Sequence, residues 1–175
     1  TAGVKIAEAD GLYFVEGCAR GQWSARDRNA EVLRTARLDK YDVKIWIEQE
    51  GGSGGKESAV ISVQDLAGFE VRAEAVTGSK LARAGAFASQ VEAGNVYVVV
   101  TGDPARDDCV EPYLAEHHAF DGSGKGHDDQ VDASSLAFNK LALDAGGLQI
   151  GTLGGSERSE REPRPSVDLD ALFSG

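Results

Sequence analysis

Methionine is missing from all 175 residues, cysteine occurs twice and proline four times. A chain that opens on Thr1 and carries no methionine reads as an excised domain or a processed fragment. No apolar run is long enough for a bilayer helix, and no basic stretch leads into an apolar one near the start. Neither a membrane span nor a leader is therefore expected. Cys18 and Cys109 stand far apart and fit no metal or redox spacing, so they read as two separate thiols in a reducing compartment. Positive charge is scarce too: 18 Lys and Arg against 29 Asp and Glu leave a net charge of −11. That balance argues against wrapping nucleic acid or an anionic membrane by bulk attraction. It leaves room for a DNA enzyme whose basic residues gather in one groove. The remaining composition, 41% hydrophobic and 27% charged, is ordinary for a globular protein, and the length suits one domain.

What is present alternates strands with helices. Ala2 to Ala9 and Leu12 to Cys18 flank Asp10-Gly11, a hairpin turn signal. Ser24 is placed to cap a helix over Ala25 to Leu38. Tyr41 to Ile47 is the clearest strand. Gly51 to Gly55 reads as a loop, followed by a helix from Lys56 to Leu66 that Gly68 stops. Phe69 to Val76 alternates as a strand, Ser79 to Ala93 is a helix, and Asn95 to Thr101 reads as a buried strand. Pro104 opens a helix to about His118, and a last helix runs from the acidic stretch after Gly126 to Asp144. A hairpin followed by this alternation implies an α/β fold, a mixed sheet with helices on both faces. Residues 1–145 form the domain; from Gly146 the glycines, prolines and charges predict a flexible C-terminal tail. Its end, Val167 to Phe173, carries enough apolar character to dock, and the sequence leaves open whether that is on this domain, on another chain or on nothing.

The densest chemistry is His127-Asp-Asp-Gln-Val-Asp-Ala133. In a helix that starts here Asp128 and Asp132 lie one turn apart on one face, with Asp129 beside them. Three carboxylates exceed what capping requires, and such a group suits a hard cation with oxygen ligands. The bland alternative is a capped surface helix with surplus acids. Glu48 ends the best strand, where an open α/β sheet places functional groups. Together with Asp128 and Asp129 it forms a discontinuous carboxylate set of the kind that two-metal phosphoryl transfer uses. Gly51 to Lys56 has the setting of a phosphate-binding loop, but Glu50 and Glu57 occupy positions that loop gives to glycine and to Ser or Thr. His117 and His118 point to different sides of a helix and make a poor zinc pair.

Val43-Lys-Ile-Trp-Ile-Glu-Gln-Glu-Gly-Gly-Ser-Gly-Gly-Lys-Glu57 and His127 to Ala133, with Phe138-Asn-Lys140, resemble the nuclease domain of tailed-bacteriophage terminase large subunits. Lys80 to Ala84 and Glu92 to Tyr97 add to the likeness, which covers about residues 1 to 145. The resemblance implies an RNase H-like fold and a metal-dependent endonuclease that cuts concatemeric double-stranded viral DNA during packaging. It implies Mg²⁺ or Mn²⁺, two ions in the complete domain, held by Glu48, Asp128 and Asp129. Asp132 and His127 would act in support, and Glu50 is a weaker candidate. The family pattern also has an Asp on a first strand, which would precede Ala2; Asp10, in a turn, does not replace it. Lys56, Arg72, Lys80, Arg83 and Lys125 are the candidate DNA phosphate contacts. The implied partners are DNA, the portal and the small terminase subunit, with no membrane, and the implied place is the host cytoplasm at the procapsid. Two rivals stand beside this reading. One is a catalytically silent RNase H-like module that docks on the portal or another packaging protein. The other is a resolvase- or integrase-like enzyme acting on branched or donor-end DNA.

Overall fold

A computed structural model of the chain describes residues 1–40, 42–49, 51–124 and 126–144. Glu50, Lys125 and the expected tail from Gly146 lie outside the described residues. The order is β1 (Ala2–Ala9), β2 (Leu12–Arg20), α1 (Ala25–Asp39), β3 (Ile45–Gln49), α2 (Ser53–Asp65) and β4 (Val71–Ala75). It continues with α3 (Lys80–Glu92), β5 (Val96–Val98), α4 (Pro104–Asp107), α5 (Val110–Ala119) and α6 (Asp129–Asp144). No helix among the described residues is long and apolar enough to cross a membrane.

Local sequence explains most of these boundaries. Asp10 and Gly11 both take positive φ, 54° and 77°, which a tight hairpin turn needs, and β1 and β2 pair antiparallel on either side. Ser24 accepts a hydrogen bond from the Asp27 amide at the head of α1, and Ser79 accepts one from Ala82 at the head of α3. Three expectations change. The helix after the glycine run begins at Ser53, so Gly54 and Gly55 lie in its first turn, and Gly52, with φ 89°, makes the bend. The expected helix from Pro104 is two, α4 and α5, separated by Asp108 and Cys109. The expected buried strand over 95–101 is a three-residue edge strand, Val96–Val98, with Tyr97 49% exposed, and Val100 beyond it is 66% exposed.

The strands are mixed in direction, and among the described residues they form two sheets rather than one. β1, β2 and β5 make one, with β5 parallel to β2; β3 and β4 make a second, parallel pair. The edge strands β1 and β3 line one cleft of about 1730 Å³. α6 bridges the two sheets. Its Phe138 and Ala142 pack with Phe87 of α3 against Ile6, Tyr13 and Val96. The Phe138 ring sits 4.7 Å from Tyr13, edge-on, and 5.6 Å from Phe87, spacings that favour aromatic pairs. On the other sheet, Lys140 of α6 lies over the Trp46 ring at 4.6 Å and pairs with Glu74 at 2.7 Å.

The two cysteines correct the sequence reading. Cys18 on β2 and Cys109 at the head of α5 form a disulfide, with Cα atoms 5.8 Å apart, rather than standing as separate thiols. Spacing along the chain hid this because the turn after β5 carries α5 back to the side of β2.

Candidate active site at the start of the last helix

Asp128 occupies the N-cap position of α6, since its carbonyl accepts the Asp132 amide at 2.9 Å. Its carboxylate turns to α3. Lys80 Nζ donates to Asp128 Oδ1 at 2.6 Å and lies 2.9 Å from Asp132 Oδ2. Arg83, one turn further along α3, donates to Asp132 Oδ1 at 2.8 Å and to the Gly78 carbonyl at 3.2 Å. Asp128 and Asp132 therefore face one way, as helical spacing requires, and a cation is held between them by the sequence itself. Burial works against the Lys80 charge, but the hydrogen bonds to Asp128 and Asp132 outweigh it and hold Lys80 above the ordinary lysine range. Asp129 points elsewhere and pairs with the Thr1 ammonium at 3.0 Å.

Glu48 is exposed at the end of β3 and lies in register with Glu74 on β4. Like charges side by side on a sheet repel, and Lys140 offsets the Glu74 member. Glu48 lines the same cleft as Lys80, Arg83, Asp129 and Asp132. Among the described residues, no three His, Cys, Asp or Glu side chains come close enough to hold a metal ion. The present set is two carboxylates neutralised by an ammonium and a guanidinium, short of the oxygen donors a hard cation takes. His127 is exposed just before the helix. Of the expected DNA contacts, Lys80 and Arg83 are engaged with the acids. Arg72 stacks over Trp46 at 5.5 Å and pairs with Glu70, and Lys56 is exposed in the first turn of α2.

Sequence reasoning missed the inner side of this helix start. Glu116 of α5 is buried, and its Oε1 accepts the Gln130 amide at 2.6 Å and the Val131 amide at 3.4 Å. Its Oε2 accepts Gln130 Nε2 at 2.8 Å. Next to it Tyr113 shares a 2.9 Å hydrogen bond with Ser134, and burial pushes the phenol up to about 12. His117 donates from Nδ1 to the Tyr113 carbonyl at 2.9 Å, and burial pulls its imidazole below the ordinary range. The histidine is packing between Tyr113 and Phe87, 4.1 and 6.1 Å from those rings.

A bridging helix whose acidic first turn faces a cleft between mixed strands defines the class: an RNase H-like α/β domain. The model of one family, the Terminase RNaseH-like domain, matches residues 2–141. The chain belongs to that family. No curated protein matches the chain.

Proposed function

We propose that this domain is the nuclease of a viral packaging terminase, an endonuclease that cuts concatemeric double-stranded DNA with Mg²⁺ or Mn²⁺. The observation that carries this reading is the pairing of Asp128 and Asp132 on one face of α6, above a cleft that Glu48 also lines. Glu48, Asp128 and Asp129 are the metal ligands in this reading, with Asp132 and His127 in support. The remaining donor comes from an extended segment along the facing edges of β1 and β3, bearing the further Asp that the family resemblance implies. Among the described residues β1 and β3 are edge strands and both line the cleft, which supports that placement. Glu48, Asp128 and Asp129 would hold a divalent cation once that donor completes the set, and the ion would there supply Lewis acidity toward water and phosphate. Lys56, Arg72, Lys80, Arg83 and Lys125 contact the DNA backbone, and the partners are the portal and the small terminase subunit at the procapsid in the host cytoplasm.

The test is Mn²⁺-dependent plasmid cutting by the domain supplied with the preceding polypeptide. Asp128→Ala and Glu48→Ala each abolish cutting while the circular dichroism spectrum is retained. Cutting at the wild-type rate in both variants overturns the proposal. A second reading is favoured by one observation: Lys80 and Arg83 already satisfy the acids. In it the domain is a silent module that docks on the portal. It predicts no cleavage under any metal, and loss of portal binding when residues 167–173 are removed.

A further inference from the structure

We infer that Glu116 is a positioning residue that sets where the acidic first turn of α6 sits, so that the Asp128 carboxylate turns to Lys80 instead of capping the helix. A helix start leaves its first amide N–H groups without partners inside the helix, and the N-cap side chain ordinarily takes one or two of them. Asp128 is the N-cap residue of α6, and an Asp is well suited to that task. It spends Oδ1 on Lys80 instead. The amides of Gln130 and Val131, the second and third residues of the helix, go to Glu116 on the neighbouring helix. The cap is thus supplied from outside, by a carboxylate whose charge the helix dipole favours.

The geometry of this cap is closed. Gln130 is 0% exposed and Glu116 8%, and Gln130 Nε2 also donates to the Pro112 carbonyl at 3.3 Å. One side chain therefore reads α6 at three points, two on the backbone and one on Gln130. Rotation or sliding of the first turn by even a fraction of a residue breaks all three. The same movement carries Asp128 and Asp132 away from Lys80. Reach is what this role demands of residue 116, more than charge. Gln130 Oε1 is buried with no hydrogen-bond partner among the described residues, so a turned Gln130 amide can accept from a glutamine at 116. An aspartate there keeps the charge but falls one methylene short.

The inference rests on the proposed site only for its consequence in catalysis, so its test reads position directly. A zero-length carbodiimide couples the Lys80 amine to Asp128 or Asp132 in the folded chain, and the joined peptides are counted by mass spectrometry. Glu116→Gln is expected to keep the wild-type yield. Glu116→Asp is expected to lose most of it, and Tyr113→Phe, which cuts a different bond between α5 and α6, to leave it intact. Wild-type yield in Glu116→Asp, a loss in Glu116→Gln, or an equal loss in Tyr113→Phe overturns the inference. In the plasmid assay Glu116→Asp lowers kcat about tenfold or more with KM for DNA nearly unchanged, the mark of misplacement rather than weaker binding. If the wild-type domain does not cut, the proposed function fails while the cross-linking result still decides the role of Glu116.

Discussion

On its inner side the first turn of α6 meets Glu116, a buried carboxylate bonded to two amides and a buried side-chain amide. On its outer side the same turn meets Lys80 and Arg83, in ion pairs of similar length but only part-buried, with Lys80 41% and Arg83 21% exposed against 14% for each carboxylate. The distances barely distinguish the two sides; the surroundings do. In a dry setting a carboxylate without its partners is costly, so the inner contacts fix geometry. Where the ammonium of Lys80 reaches solvent, water competes for it, so the outer contacts are more readily exchanged for those of a ligand than the inner ones. A site that must be both exact in position and free to bind needs one side of each kind.

The comparison can be broken most strongly from inside. Gln130→Leu keeps the volume but strips Glu116 of a donor in a buried place, and should cost about 2–3 kcal/mol in urea unfolding. A cost near zero would mean water reaches Glu116. Ser134→Ala removes the Tyr113 hydrogen bond and should cost about 1 kcal/mol by the same measurement. Lys80→Ala, although it removes two ion pairs, should cost less than about 1 kcal/mol and lose even that in high salt. A larger, salt-insensitive loss would place Lys80 with the inner contacts.

Proton titration separates the sides more finely. His117 is held below its usual 6.5 by burial, against the Tyr113 carbonyl and the Glu116 charge that favour the protonated ring. The folded chain then binds this proton less readily than the unfolded one. Its contribution is complete above about pH 6.5 and is lost as pH falls through the folded value. His117→Phe should flatten that part of the stability profile, and an unchanged acid slope would assign it to other groups. The Lys80 shift is upward, so its contribution is complete below 10.5 and fades only as pH rises through the folded value.

Much of the frame was legible because it rests on local rules. The Asp10-Gly11 turn and the caps at Ser24 and Ser79 follow from residue types a few positions apart; the strand expected over 41–47 is present, but shifted to Ile45–Gln49. The shared face of Asp128 and Asp132 follows from the helix period alone. What stayed hidden joins distant segments. Lys80 and Arg83 looked like free phosphate contacts, since nothing in a sequence shows that α3 and α6 lie side by side. Glu116 drew no notice in the sequence, because its partners are fourteen and fifteen residues away on another element. The run at 95–101 was read as buried because valine and tyrosine suit a core, yet it lies at an edge, which no propensity scale distinguishes.

The bond between Cys18 and Cys109 divides the molecule in a way the helices and strands do not. It closes a ring spanning 91 positions that contains α1, β3, α2, β4, α3, β5 and α4, with β1 on one loose end and α5 and α6 on the other. A protease that clips any exposed turn inside the ring leaves a single covalent particle, whereas a cut just before α6 sheds the helix that carries the acids. Limited digestion run on gels with and without a reductant would therefore sort nicks by which side of that ring they fall on.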